Sequence, residues 1–116
     1  YMYGPGQNSK SLIAQLDRAI AEGAESFDMS GGEQLRDYLP VSEVARKLAD
    51  LIAINDFSGI INICSGQPIS IRRFVEEYLL KRNSNIKLNL GAYPYPSYEP
   101  MAFWGDDNMQ KKKLNI

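Results

Sequence analysis

The sequence predicts a small mixed domain of the α+β class, and three observations carry that prediction. Apolar residues recur at helical spacing in three windows, 9–23, 42–55 and 70–82. Four short runs of strand composition lie among and after these windows, at 26–29, 35–39, 59–64 and 86–90. Gly and Pro punctuate the joints, which keeps every element short and leaves no room for a large, regularly wound sheet. Interleaved elements over 116 residues fit one domain, 1–116.

The first window, SKSLIAQLDRAIAEG, places Leu12, Ile13, Leu16, Ala19 and Ile20 on one face, and Gly23 closes it. A strand at 26–29 and another at 35–39, separated by Gly31-Gly32, outline a hairpin that Pro40 ends. Ser42 suits the N-cap of the second helix, whose stripe is Val44, Leu48, Leu51 and Ile52 and whose end is expected near Asn55. Gly59 leads into the β-branched run GIINIC, and Ser65-Gly66-Gln67-Pro68 is a turn. In the third helix Ile71, Phe74, Val75, Tyr78 and Leu79 share a face, with Ile69 placed to staple onto Phe74. After a strand at 86–90 comes the aromatic-proline loop AYPYPSYEPMAFW, and residues 108–114 have the length of one or two final helical turns.

Composition excludes several function classes. Hydrophobic residues at 44% and charged residues at 23% describe an ordinary globular domain, and a net charge of −1 gives no electrostatic basis for nucleic acid or anionic membrane as partner. The basic triplet Lys111-Lys112-Lys113 reads as a solvated helix end. No apolar run approaches the roughly 20 residues of a membrane span. Cys64 is the only cysteine, so no internal disulfide forms, and with no histidine in the chain there is no partner to activate its thiol and no His-based metal site. No G-x-G-x-x-G follows any strand, so no dinucleotide site is encoded in these residues. The expected location is the cytoplasm.

Four stretches stand out as places where chemistry could sit: GPGQ (4–7), RDYLPVSEVA (36–45), NICSG (62–66) and YEPMAFWGD (98–106). Each alone also reads as scaffold: a rigid turn, a solvated strand end, a buried strand, aromatic packing. Arg36 has the best independent case for function, because a guanidinium fork grips phosphate through paired, charge-assisted hydrogen bonds. Asp37 beside it is placed to orient that guanidinium or to satisfy backbone donors.

Taken together, in order and spacing, the four stretches resemble the C-terminal part of the extended short-chain dehydrogenase/reductases, the NAD-dependent epimerase/dehydratase family acting on nucleotide sugars. The matching residues are Tyr3-Gly4-Pro5-Gly6-Gln7; Arg36-Asp37-Tyr38 with Val41, Val44 and Ala45; Gly59 with Asn62-Ile63-Cys64-Ser65-Gly66; and Tyr98-Glu99-Pro100 through Trp104 and Asp106. The resemblance covers nearly the whole chain. It implies a small substrate-binding lobe, set apart from the nucleotide-binding Rossmann lobe that carries the Gly-rich turn and the Tyr-x-x-x-Lys pair. Neither motif occurs in this sequence, so the chain is expected to be a fragment that neither binds NAD or NADP nor turns over alone. In the parent enzyme one of those cofactors would take the hydride, and the missing lobe of the same protein would be the partner. A fragment with that docking face uncovered is also expected to self-associate.

The resemblance further implies roles residue by residue. Arg36 would reach the substrate diphosphate, and Glu99 would bind the nucleotide ribose. Lys10, Ser11 and Leu12 would lie near the base or phosphates, while Asn62, Ser65, Tyr38 and Trp104 would be scaffold. No residue of the chain is expected to be catalytic, to bind cofactor or to ligate metal. Many members place a second phosphate-clamping arginine three residues before the late-loop acid, where this chain has Pro96. Ser42 stands where the family often has Asp, a milder change because both cap helices. The alternative function class is a stand-alone binding or interaction module that keeps the lobe's fold without enzyme activity.

Overall fold

The computed structural model describes residues 1–54 and 58–116. Its elements in chain order are β1 (Met2–Tyr3), α1 (Leu12–Ala21), β2 (Ser26–Met29), β3 (Leu35–Arg36), β4 (Leu39–Pro40), α2 (Val41–Ile52), β5 (Ile69–Ser70), α3 (Ile71–Lys81), β6 (Lys87–Leu90) and α4 (Asn108–Leu114). Serine caps open two of the helices. The Ser11 hydroxyl accepts from the Ala14 N–H, and the Ser70 hydroxyl from the Arg73 N–H. In each case one orphan donor of the first turn is satisfied.

The strands are short and pair in three separate ladders: β1 with β4 and β2 with β6, both parallel, and β3 with β5, antiparallel. Helices therefore alternate with largely parallel strands, and the class is α/β with four helices among the described residues, rather than α+β with three. The body is elongated, 52 × 30 × 21 Å, with a radius of gyration of 16.5 Å. A compact domain of this length has about 13 Å.

Three local expectations are corrected. The hairpin between 26–29 and 35–39 does not form, because β2 takes β6 as its partner, Ser26 opposite Lys87 and Met29 opposite Leu90. Residues 35–39 are also not one strand. Asp37 leaves the ladder so that its carboxylate can accept the N–H groups of Ser65, Gly66 and Gly105. Pro40, not Ser42, holds the N-cap position of α2, with no side-chain bond, and its own φ of −61° already suits a helix start. The expected end of that helix at Asn55 lies outside the described residues.

A fourth expectation also fails, since the run GIINIC forms no strand. At Cys64 the N–H donates to Gln110 Oε1, and the C=O accepts from Gln110 Nε2 and Lys47 Nζ. A side-chain amide from α4 thus supplies the donor and acceptor that a neighbouring strand would have supplied.

The apolar core occupies one end of the molecule. Ile13 and Leu16 of α1, Phe27 and Met29 of β2, and Phe74, Val75 and Leu79 of α3 form a single buried cluster. Ile69 packs against it from the residue before the Ser70 cap, the arrangement expected of a staple. Tyr38 stacks flat on Phe74 with centroids 3.9 Å apart, so its assignment to packing holds. Tyr1, Met2, Tyr93, Tyr98 and Trp104 are exposed apolar residues, so Trp104 is not buried as a scaffold residue would be.

Candidate functional site

The residues that start α1 and those of the late loop face each other across a cleft of about 600 Å³. Lys10, Ser11 and Leu12 line it from the helix, Glu99 and Pro96 from the loop, and Gln34 and Ser30 from the approach to β3. Four of the five site residues expected from sequence therefore share one cavity. Lys10 is the only basic residue among those lining it, and its ammonium has no ion pair among the described residues. Ser11 has a structural duty as the cap of α1, and Leu12 packs partly against the core.

The late loop reaches the cleft because it runs beside β3. The Leu35 N–H donates to the Met101 carbonyl at 2.8 Å, and the Phe103 N–H donates to the Leu35 carbonyl at 3.2 Å. Pro96 contributes through its backbone, its carbonyl accepting the Glu99 N–H at 3.1 Å and closing the turn that aims Glu99. A proline here supplies no charge, but it stiffens the segment that presents the acid.

Arg36, the fifth expected residue, does not line the cleft. It is 0% exposed. Its Nη2 donates to Glu99 Oε1 at 2.6 Å and to the Pro100 carbonyl at 2.8 Å, and its Nη1 donates to the Leu35 carbonyl at 2.8 Å. The Phe103 ring covers one face of the guanidinium, 4.3 Å from Cζ to the ring centroid. The structure thus brings Arg36 and Glu99 together as an ion pair, with the acid on the cleft side and the base behind it.

Asp37 faces the other way and ties three segments together. Its Oδ1 accepts from Ser65 N–H at 2.9 Å, and its Oδ2 from Gly66 N–H at 3.0 Å and Gly105 N–H at 3.1 Å. Burial alone would raise the carboxyl's pKa, but the hydrogen bonds from Ser65, Gly105 and Gly66 outweigh it and hold the group below its ordinary value. Gly66 has φ +69°, and a Cβ there would collide with the Asp107 carboxylate, so only glycine fits this turn. The part of Asp37 that satisfies backbone donors was readable from sequence, whereas the identity of those donors was not.

Two further titratable groups near the site are pushed toward their protonated forms, chiefly by burial. Burial, with the Tyr1 hydroxyl adding to it, pushes Tyr38 up to about 12, which keeps it protonated. Burial likewise raises the Cys64 thiol, and the nearby carboxylates of Asp37 and Asp107 add to the effect. No cluster of three or more potential metal ligands exists among the described residues. Gln34 was missed by sequence reasoning. It is 3% exposed, its Nε2 donates to Ser30 Oγ at 3.4 Å, and its Oε1 has no partner among the described residues. Its only signal was its place two residues before Arg36, at the entry to β3.

The chain is 34% identical over 105 residues to the dTDP-6-deoxy-L-talose 4-dehydrogenase (NAD(+)) of Aggregatibacter actinomycetemcomitans, an alignment covering 90% of this chain and 38% of that protein. The chain belongs to the NAD-dependent epimerase/dehydratase family, the extended short-chain dehydrogenase/reductases. Among solved structures, a UDP-N-acetylglucosamine 4-epimerase from Methanobrevibacter ruminantium M1, in complex with UDP-N-acetylmuramic acid, superposes with a TM-score of 0.80 at 28% identity. That superposition covers 97% of this chain and 36% of the epimerase. MoeE5 in complex with UDP-glucuronic acid and NAD gives a TM-score of 0.76 at 27% identity, covering 99% of this chain and 38% of that one. No family model matches the chain. The chain spans little more than a third of the length of these relatives.

Proposed function

We propose that this chain is the substrate-binding lobe of a nucleotide-sugar epimerase, dehydratase or reductase, where it binds and orients the nucleotide-diphosphate part of the substrate. The observation that carries the reading is the shared cleft. Lys10, Ser11 and Leu12 at the start of α1 face Glu99 across about 600 Å³, with Arg36 seated directly behind the acid. A cation and a helix start suit phosphate oxygens, and a carboxylate, which only accepts hydrogen bonds, suits hydroxyl or N–H groups of the same ligand.

The residues present do not fit a nicotinamide dinucleotide. α1 opens on Ser11-Leu12-Ile13 rather than on a glycine-rich turn, and both Leu12 and Ile13 pack into or against the core. The chain's contribution is orientation: holding the nucleotide handle fixes which sugar carbon is presented to the reacting groups. The exposed aromatic and aliphatic residues Tyr1, Met2, Tyr93 and Trp104 are proposed to pack on the remainder of the enzyme, or on a second copy when that remainder is absent.

Hydrogen exchange in the protein that carries this chain, with and without UDP-glucose, dTDP-glucose and GDP-mannose, tests the reading. Binding should protect the amides of 10–14 and 96–103. Binding that leaves both segments unprotected would place the substrate elsewhere and overturn it.

A further inference from the structure

We infer that Gln34 reads the base of the bound nucleotide, its side-chain carbonyl accepting the ring N–H of uracil, thymine or guanine, a selection that rests on the nucleotide-sugar reading above. Two buried side-chain atoms lack a hydrogen-bond partner among the described residues, Gln34 Oε1 and Arg36 Nε. They are opposite in kind. The guanidinium Nε–H can only donate, and the amide oxygen can only accept. A buried acceptor left unpaired costs free energy in the empty protein, and a ligand that supplies a donor recovers it.

Gln34 lines the cleft that Lys10 and Ser11 enter from α1. Its main chain is fixed, since its carbonyl accepts the Ile71 N–H at 3.0 Å and the next amide, Leu35 N–H, donates to the Met101 carbonyl at 2.8 Å. The side chain is held only by a long bond, Nε2 to Ser30 Oγ at 3.4 Å. The terminal torsion of a glutamine is soft, so a small turn against that bond brings Oε1 to the ligand. The carboxylates that also line the cleft, Asp28 and Glu99, each hold a protein donor already, from Asn89 and Arg36.

The kind of orphan decides which part of the ligand it meets. An ionised diphosphate carries no donor, so Arg36 Nε–H suits it and Gln34 Oε1 does not. The donor comes from the base or from a hydroxyl, and the lining favours the base. Leu12, Ile13, Phe27, Met29 and Ile71 line the same cleft. A planar base buries its faces against such a wall, whereas a ring bearing several hydroxyls leaves some of them unpaired there.

The experiment is calorimetric titration of the protein that carries this chain with UDP, dTDP and GDP, each beside the form methylated at the ring N–H. Whichever nucleotide binds should bind about tenfold more tightly than its methylated form, as for one buried hydrogen bond. In Gln34→Met, which keeps the side-chain length and lacks the amide, the two forms should bind within about twofold of each other, because methyl and variant remove one shared bond. A merely structural Gln34 predicts instead that the variant weakens both forms alike and keeps their ratio.

Equal binding of the two forms by wild type overturns the inference, as does a ratio that persists in Gln34→Met. Should Gln34→Met fail to fold, Gln34→Leu carries the same comparison. A 2′-deoxy form of UDP or GDP whose weaker binding disappears in the variant moves the contact to the ribose and overturns the base assignment. A wild-type protein that binds none of the three nucleotides overturns the nucleotide-sugar reading and this inference with it.

Discussion

The two ends of this molecule are held together by different physics. Between α1, β2 and α3 the cohesion is apolar: seven buried side chains from Ile13 to Leu79 form one cluster with no polar member. Where α2, α4 and residues 62–66 meet, the buried groups are Asp37, Lys47, Cys64 and Gln110, and they are joined by directional hydrogen bonds. Apolar packing is non-directional and tolerates small shifts, whereas a buried donor that loses its acceptor costs its full desolvation. The first end should respond to lost volume, and the second to lost geometry or charge. The cleft lies against the apolar end, so its floor is rigid by packing while Asp37 steadies the segments behind Arg36.

The sharpest way to break the comparison is to remove volume from the apolar end. Leu16 is 0% exposed, and Leu16→Ala should cost about 2–5 kcal/mol in chemical denaturation, with no dependence on pH. At the polar end, Asp37→Asn keeps an acceptor for Ser65 but turns an NH₂ toward the Gly66 and Gly105 amides. The expected loss is about 2–3 kcal/mol. Because the folded-state pKa of Asp37 is lowered, its stabilising contribution is complete above the ordinary aspartate range and drains away as pH falls through the folded value. The wild type should therefore lose part of its advantage over Asp37→Asn on acidification, and parallel curves would contradict the assignment. The smallest effect is expected for Gln110→Leu, about 1–2 kcal/mol, since Lys47 still serves the Cys64 carbonyl while the Cys64 N–H is orphaned.

Much of this was legible in the sequence where local rules apply. The faces of α1 and α3, the strand at β6 and the turns at Gly23 and Gly66 follow from periodicity and turn chemistry. Pairing was not legible. Nothing in 26–29 announces β6 as its partner, and Gly31-Gly32 looked locally like a hairpin tip. GIINIC has strand composition, but at Cys64 its backbone is served by Gln110, a residue 46 positions away. The family resemblance pointed to Lys10, Ser11, Leu12 and Glu99, and the fold places these four around one cleft; their role toward substrate is the proposal made above. Sequence could not show that Arg36 would be enclosed, because burial of a charge depends on the carboxylate and carbonyls that arrive from the late loop.

The pairing of β2 with β6 has a consequence for how this chain comes to be folded. Asp28 and Asn89, bonded side chain to side chain across that ladder, are 61 residues apart. A parallel ladder between such distant segments pays its loop-closure entropy before it gains any contact, which slows folding relative to a bundle with local contacts. On the ribosome, β2 emerges some 60 residues ahead of its mate, so at about 5–20 residues per second it waits several seconds with an unsatisfied edge. Phe27 and Met29, the residues that anchor the cleft's floor, are exposed for that interval. Slowing translation between residues 29 and 87 should therefore lower the soluble yield, and an unchanged yield would contradict this account.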